Sequence, residues 1–492
     1  MLLSSLLEDL QYTCLNGSTD AEIKGVAYDS RDVEPGSLFV CIRGTVKDGN
    51  TFAGEALKRG AAALVSEEFL PVPEEIPLIR VENARKALAR ISAAWFGYPA
   101  RKLILVGVTG TKGKTTTAWM VRAILEQGGY KTGLLGTVSC ITGKREFHSE
   151  NTTPESWMIH QCFAEMAEAG MRCAVMEVSS QALKQYRVEG ISFDYGIFTN
   201  IEADHIGPGE HRDFQEYLEC KKKLLAQCRV GIVNRDDPHF QEITEGRNCV
   251  LETFGFSEKA DLRAEHLKLI SAPGRLGISF QTRGLLELTA ELEMPGRFSV
   301  YNALGAMAAA RHLGVTKSAM RQALKKVRVR GRAELLTLPS GAALVIDYAH
   351  NAMSLKNILT ALREYRPKRL ICLFGCGGNR DRNRRFEMGE VSGNCADLTV
   401  ITSDNPRDEE PQAIIEDIKG GIRKTRGACV EIASRREAVA WAVHQGEPGD
   451  IIVLAGKGHE DYQIIRGKKY PMDERIMIRE ILEEDRMRAP EQ

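Results

Sequence analysis

The chain has 492 residues, with 66 Lys+Arg balanced by 66 Asp+Glu. That length exceeds what one hydrophobic core usually fills, so two to four domains are expected. A formal charge of zero provides no global basic field for nucleic acid or an anionic membrane, so any polyanionic ligand must be met locally.

The opening MLLSSLLEDLQ carries Glu8 and Asp9 inside its apolar pattern and lacks a basic leader, so it reads as a helix and not as a signal peptide. No apolar run approaches the length of a membrane span. The twelve cysteines are scattered, Cys372 and Cys376 being the closest pair, without the double pairs of a metal site. A reducing cytoplasm, small-molecule substrates and a monomer are expected, with neither nucleic acid nor membrane insertion.

The first segment, residues 1–98, reads as a compact α/β domain, with a strand over Ser37 to Ile42 and an alanine-rich helix from Phe52 leading into another strand. From Leu103 to about Arg330, apolar runs alternate with helical patterns, the signature of parallel βαβ units. Strands are expected at Cys173 to Val178, Tyr195 to Thr199 and Val230 to Val233. The interval from Val250 to Met294 differs: Gly277-Ile-Ser-Phe-Gln and Leu286 to Leu292 alternate with period two, which predicts antiparallel strands. A second βαβ series fills 331–492, with strands at Ala343 to Ile346, Leu370 to Phe374, Leu398 to Ile401 and Ile451 to Leu454. The fold class is therefore α/β in three domains, 1–98, 99–330 and 331–492, the middle one with an antiparallel β addition and the last Rossmann-like.

The most telling stretch is Gly107-Val-Thr-Gly110-Thr111-Lys112-Gly113-Lys114-Thr115-Thr116, between the apolar run Leu103 to Val106 and a helical pattern ending at Gly128-Gly129. A strand, a glycine turn and a helix N-terminus make a phosphate cradle, because the unpaired N–H groups of the first turn and the helix dipole both favour an anion. Lys114 supplies a cation for the terminal phosphates and the Thr115 hydroxyl is placed to help hold Mg²⁺. The spacing departs from the usual phosphate loop, since Val108 stands where a glycine is expected five positions before Gly113.

Ligands of open parallel sheets bind outside the carboxyl ends of the strands, and the polar clusters fall there. In the middle domain these are Glu177-Val-Ser179-Ser180, Thr199-Asn200 and Asp204-His205. In the last they are Asp347-Tyr-Ala-His350, Gly375 to Arg380, Asp404-Asn405-Pro406-Arg407 and Gly456-Lys-Gly-His-Glu460.

Taken in this order, Gly110 to Thr116, Asn151-Thr152-Thr153-Pro154-Glu155, Met176 to Ser180, Asp347 to His350 and Asp404 to Arg407 resemble the Mur ligase family. These are ATP-dependent amide-forming enzymes of peptidoglycan precursor synthesis, and the resemblance spans essentially the whole chain. Asp29-Ser30-Arg31 with Pro35-Gly36 and Asp48-Gly49 resemble the uridine-diphosphate-binding domain of one branch. The resemblance implies phosphorylation of the D-glutamate γ-carboxylate in UDP-N-acetylmuramoyl-L-alanyl-D-glutamate by ATP, followed by displacement of phosphate by an amine. Such chemistry is mostly placement and charge neutralisation.

The same resemblance implies the remaining roles. Lys114, Glu177, His205 and Lys221 are the catalytic set, and Thr115, Glu177, His205 and Lys221 the Mg²⁺ set. Lys221, in Tyr217-Leu-Glu-Cys-Lys-Lys-Lys, matches a lysine that CO₂ converts to N6-carboxylysine, although spacing alone leaves Lys222 open. Asn302 and Arg332 resemble ATP contacts beyond the phosphate loop. Ser30, Asn151, Thr152, Thr153, Ser179, Gln185 and Arg187 would hold the UDP-sugar-peptide. Arg380, Asp404, Asn405, Arg407, Gly456 and Glu460 would hold the incoming amino acid. Enzymes of this branch add meso-diaminopimelate or L-lysine, and a guanidinium at Arg407 suits the distal carboxylate that only diaminopimelate carries. An L-lysine adder, a folylpolyglutamate synthetase relative and a phosphate-loop ATPase switch are the alternatives. The pattern departs from the family at Gln181, Asn351 and Asn379, and in the path from His205 to His211.

Overall fold

The computed structural model describes residues 1–44, 47–207, 209–272 and 275–488. The chain divides into two compact units. One holds residues 1–263, 284–286 and 302–320; the other holds 264–283, 287–301 and the chain from 321 onward.

The first unit contains two sheets. The smaller orders its strands Tyr12–Asn16, Leu78–Val81, Ala63–Ser66, Ser37–Val40 and Gly25–Ala27, parallel except for the first. The opening helix is a single turn, Leu3–Leu6, whose Leu3 and Leu6 are buried with Leu38, Val40 and the helix Ala84–Trp95.

The larger sheet sets Val250–Gly255, Cys228–Asn234, Phe193–Phe198, Ile104–Thr109, Cys173–Glu177 and Thr132–Leu135 side by side, all parallel, with two short antiparallel strands beyond. Val250–Gly255 thus corrects the expectation of antiparallel strands throughout 250–294. It is half-exposed at Leu251 and Glu252 and pairs in parallel with Cys228–Asn234, which its sequence does not signal. Ile104–Thr109 is where the strand order reverses: the chain runs out to Thr132–Leu135, returns through Cys173–Glu177, then crosses to Phe193–Phe198. A crevice opens at the carboxyl end of such a strand.

Gly107 and Gly196 are register partners on adjacent strands. A Cβ on Gly107 would lie 2.9 Å from Leu224 Cδ1, and one on Gly196 3.4 Å from Leu224 Cγ. The missing side chains let the helix Phe214–Ala226 sit close on the sheet, which brings its buried face under the phosphate loop.

In the second unit the sheet runs Glu334–Thr337, Ala343–Asp347, Ile451–Ala455, Leu370–Phe374, Leu398–Ile401 and Ala428–Glu431, parallel except for the first. Helices cover both faces. Ile358, Met388 and Ile415 build the core on one side, and Val439, Ile478 and Ile481 on the other. Ile451–Ala455 inserts between the first two parallel strands of the series, so its carboxyl end is the switch point here. As expected, Ile278 to Thr282 pairs antiparallel with Leu288 to Leu292. Tyr365 anchors this hairpin by donating to the Gly277 carbonyl at 2.7 Å. Among the described residues no helix is long and apolar enough to cross a membrane.

Candidate functional site

The phosphate loop follows Ile104–Thr109 and leads directly into the helix Lys114–Gln127. Gly110 and Gly113 have φ of 145° and 83°. A Cβ at Gly110 would come 1.9 Å from Thr199 Oγ1, and one at Gly113 2.4 Å from Asn302 Oδ1. Positive φ and close approach together demand these glycines. The neighbouring strand end clamps the loop: Thr111 N–H donates to the Asn200 carbonyl and Lys112 N–H to Asn200 Oδ1, both at 2.9 Å, while Thr199 Oγ1 donates to the Lys112 carbonyl at 2.6 Å. Lys114 Nζ folds over the loop onto the carbonyls of Gly110 and Thr111, at 2.9 and 3.1 Å. Thr116 is buried on the same first turn, and the buried Asn302 accepts from Thr117 Oγ1 at 3.2 Å. Lys112 Nζ pairs with Asp204 at 2.8 Å; burial works to raise the Asp204 pKa, but this ammonium brings it down to about 2.

Glu177, at the end of Cys173–Glu177, is only 1% exposed. Its Oε2 accepts from Thr115 Oγ1 at 2.9 Å and Thr137 Oγ1 at 3.0 Å, and its Oε1 from Thr137 N–H at 2.8 Å. Thr137 was not singled out in the sequence. Its only signal is its place after Gly136, whose added Cβ would lie 2.4 Å from Glu177 Oε1.

Lys221 is equally buried, donates to the Gly110 carbonyl at 2.7 Å and lies over the Tyr217 ring. Burial, then the charge of Lys114, pushes its pKa well below the usual lysine value. Lys222 instead pairs with Glu219 at 2.8 Å, so Lys221 is the lysine that reaches the loop. Tyr217 completes this contact through its hydroxyl, 3.0 Å from Thr111 Oγ1. His205 has φ of 56° and a half-exposed ring whose Nδ1 is 3.1 Å from Glu210 Oε1. Among the described contacts none joins it to Glu177. His211 is buried, with Nε2 2.9 Å from Ser180 Oγ; burial, then Lys184, lowers its pKa to about 4. Among the described residues no group of three or more His, Cys, Asp or Glu could hold a metal ion.

A third cluster extends from Glu177. The Thr152 and Thr137 hydroxyl oxygens are 3.1 Å apart, and with the Thr137 proton given to Glu177 the Thr152 hydroxyl is the donor. Thr153 Oγ1 donates to the Glu177 carbonyl at 2.8 Å and accepts from Ser179 N–H at 3.0 Å. Arg187 donates to the Thr153 carbonyl at 2.7 Å and to Gln185 Oε1 at 2.8 Å, and its Nε lies 3.5 Å from Glu155. Thr152, Thr153, Ser179, Gln185 and Arg187 are thus one connected patch. Asn151 is exposed beside it. Ser30 is buried in a turn capped by Asp29, and no described contact ties it to the patch. Tyr28 marks the approach of the N-terminal segment: burial, then the charge of Glu155, raises its hydroxyl pKa.

The second unit has its own polar strand ends. Arg407 has φ of 53°, its N–H donates to the Ile464 carbonyl at 3.0 Å, and its Nη1 to the Gly378 carbonyl at 2.6 Å. Asn405 donates from Nδ2 to Glu460 Oε2 at 3.1 Å, and its Oδ1 accepts from Ile464 N–H at 2.9 Å. Gly456 has φ of 104°, and its added Cβ would lie 3.0 Å from Asp404 Oδ2. Arg380 is exposed near the turn at Gly377. Arg332 lies over the Tyr348 ring and opposes the rise that burial causes in the Asp347 pKa. Lys457, which no spacing signal marks in the sequence although it stands between Gly456 and Glu460, is fully buried between Asn405 and Glu460. Of the family departures, Gln181 donates to the Gly209 carbonyl at 3.4 Å and Asn379 to Asp408 at 2.7 Å.

Three family models match this chain. The Mur ligase family catalytic domain covers residues 22–96, the Mur ligase middle domain 108–310, and the Mur ligase glutamate ligase domain 331–458. The chain belongs to the Mur ligase family. Its three-domain α/β architecture and its ATP-dependent ligase class follow from that membership. A UDP-N-acetylmuramoyl-L-alanyl-D-glutamate–2,6-diaminopimelate ligase from Clostridium perfringens is 38% identical over 490 residues, spanning 98% of this chain and 100% of the relative. The enzyme of that name from Caldanaerobacter subterraneus is 39% identical over 485 residues, spanning 98% and 99%. A solved structure of a ligase with the same name aligns with TM-score 0.70 and 26% identity over 99% of both chains. Folylpolyglutamate synthase from Mycobacterium tuberculosis shares the fold, with TM-score 0.59 and 18% identity over 76% of this chain and 92% of that one.

Proposed function

We propose that the chain is an ATP-dependent amide ligase that adds meso-2,6-diaminopimelate to the γ-carboxylate of D-glutamate in UDP-N-acetylmuramoyl-L-alanyl-D-glutamate, acting as a monomer in the cytoplasm. The observation that carries this reading is full-length kinship at 38% and 39% identity with UDP-N-acetylmuramoyl-L-alanyl-D-glutamate–2,6-diaminopimelate ligases. The phosphate loop, the Glu177 cluster and the Arg407 turn are local features that suit it.

The glutamyl carboxylate attacks the γ-phosphorus of ATP and ADP leaves. The amine then attacks the acyl carbon, phosphate leaves, and the ammonium proton is lost. Lys114 and the N-terminus of Lys114–Gln127 meet the phosphates, with Asn302 and Arg332 as further ATP contacts. The donor set beside the loop suits Mg²⁺: the Thr115 hydroxyl and the Glu177 carboxylate are hard oxygens 2.9 Å apart. His205 and carbamylated Lys221 would complete it. Bound Mg²⁺ neutralises charge that would otherwise keep carboxylate and phosphate apart.

Lys221 is suited to carbamylation because only a neutral amine attacks CO₂, giving a carbamate and a proton, and burial favours the neutral amine. Asn151, Thr152, Thr153, Ser179, Gln185 and Arg187, with Ser30, would take the UDP-sugar-peptide. For the amino acid, Arg407 and Arg380 would meet the distal carboxylate and Glu460 the distal ammonium, with Asp404, Asn405 and Gly456 shaping the turn.

The test is phosphate release from ATP with the UDP-dipeptide and each amino acid in turn. Release in step with diaminopimelate is expected. Turnover with L-lysine but not diaminopimelate would overturn the specificity, and ATP hydrolysis indifferent to both would favour a switch module.

A further inference from the structure

Lys457 closes the carboxyl end of Ile451–Ala455 and is wholly sealed from solvent. Its Nζ donates to Glu460 Oε2 at 2.8 Å and Asn405 Oδ1 at 2.9 Å, and lies 3.9 Å from Asp404 Oδ1. The two carboxylates keep 11% and 16% side-chain exposure while the ammonium has none, so the ammonium lies deeper than they do. Burying a charge is costly unless it is paired, and both near carboxylates pair with this one.

Two consequences follow from the geometry. Asn405 Oδ1 receives Lys457 Nζ and Ile464 N–H, so its Nδ2 must face Glu460; turning the amide over would set an NH₂ against an ammonium and an N–H. Ile464 also accepts the Arg407 N–H, so the lysine is linked through Asn405 to the backbone that presents Arg407. Glu460 Oε2 is filled by two donors, whereas among the described residues Oε1 has only the Tyr348 hydroxyl at a long 3.4 Å. Charge gives the second consequence. Asp404 and Glu460 together carry two negative charges, and one buried ammonium reduces the pair to one.

We propose that Lys457 is a positioning residue for the incoming amino acid: it fixes the Asn405 amide and Glu460 Oε2, leaving Glu460 Oε1 and one net negative charge to receive a single substrate ammonium. This rests on the diamino acid reading above, but its test is separable. Diaminopimelate-dependent phosphate release by the unaltered enzyme tests that reading, and only the variants test Lys457.

The experiment measures KM for diaminopimelate, ATP and the UDP-dipeptide, together with thermal unfolding, in Lys457→Met and Lys457→Arg. In the Met variant KM for diaminopimelate should rise by about tenfold or more, the scale of a lost charge-assisted hydrogen bond, while the other two KM values move by less than about twofold. The Arg variant, which keeps the charge, should recover most of that loss. An unchanged KM for diaminopimelate in folded Lys457→Met would overturn the proposal, as would a parallel rise in all three values or an Arg variant as impaired as Met. If the Met variant does not fold, Lys457→Gln, which keeps a donor for Glu460 without the charge, is read by the same criteria.

Discussion

The phosphate loop and the Arg407 turn both sit at carboxyl ends of parallel strands, yet they are built in opposite ways. The loop is one contiguous run whose recognition groups are backbone N–H groups, short hydroxyls and one lysine, held by Thr199 and Asn200. The Arg407 turn is assembled from three separated segments through long charged side chains, with Lys457 buried at the centre. A backbone cradle tolerates little change because its glycines have no room for a Cβ. A side-chain network can be altered one partner at a time, so on the proposed reading it is where selectivity between amino acids should respond to substitution.

The sharpest way to test this contrast is Lys114→Met. Removing the cation at the phosphates should lower kcat/KM on the order of 10³-fold, about 4 kcal/mol, for every amino acid offered. Steady-state phosphate release checks it, and a loss confined to diaminopimelate would contradict the division of labour.

Next in size is acid sensitivity, which should originate in the unit that holds the phosphate loop. Burial lowers the pKa of His160 from 6.5 to about 4, and burial with Lys184 does the same for His211. The unfolded chain therefore takes up these protons first, so stability is full above the unfolded value and is lost as pH falls from 6.5 through about 4. Each histidine contributes about 3 kcal/mol to that loss. Urea unfolding as a function of pH should become flatter in this window for His160→Phe; an unchanged slope would exclude His160 as a source.

Arg407→Lys should act more selectively, raising KM for diaminopimelate by about 10- to 100-fold through loss of the bidentate fork and narrowing the preference over L-lysine, while KM for ATP stays put. Equal effects on all substrates would mean the turn is merely structural. The smallest effect expected is that of bicarbonate depletion, a loss of rate of about severalfold that CO₂ restores, since only Lys221 depends on it. The response should vanish in Lys221→Met, whatever activity that variant retains.

Much of this was legible beforehand. Strands of the second βαβ series fall where their apolar runs predicted, because a strand buried on both faces must be apolar throughout. The parallel pairing of Val250–Gly255 is not legible in its own residues, because its partner lies outside its pattern and strand orientation is a property of the neighbour. Thr137 and Lys457 are silent in the sequence for a related reason. A lone threonine or lysine carries no spacing signal, and only the strands that bring Glu177, Asn405 and Glu460 beside them make them matter. His205 shows the opposite case: the motif was plain, but in this structure its ring turns to Glu210.

The amino-acid sequence by itself determined the nucleotide cradle, the two parallel-sheet modules and the family, since each depends on short-range pattern or contiguous motif. Tertiary structure alone decided which of three consecutive lysines is buried under the loop, which hydroxyls satisfy Glu177, and that an ammonium lies deeper than the Asp404 and Glu460 carboxylates. Burial and pairing of charge arise from elements far apart in the chain, and their energies exist only once those elements have met.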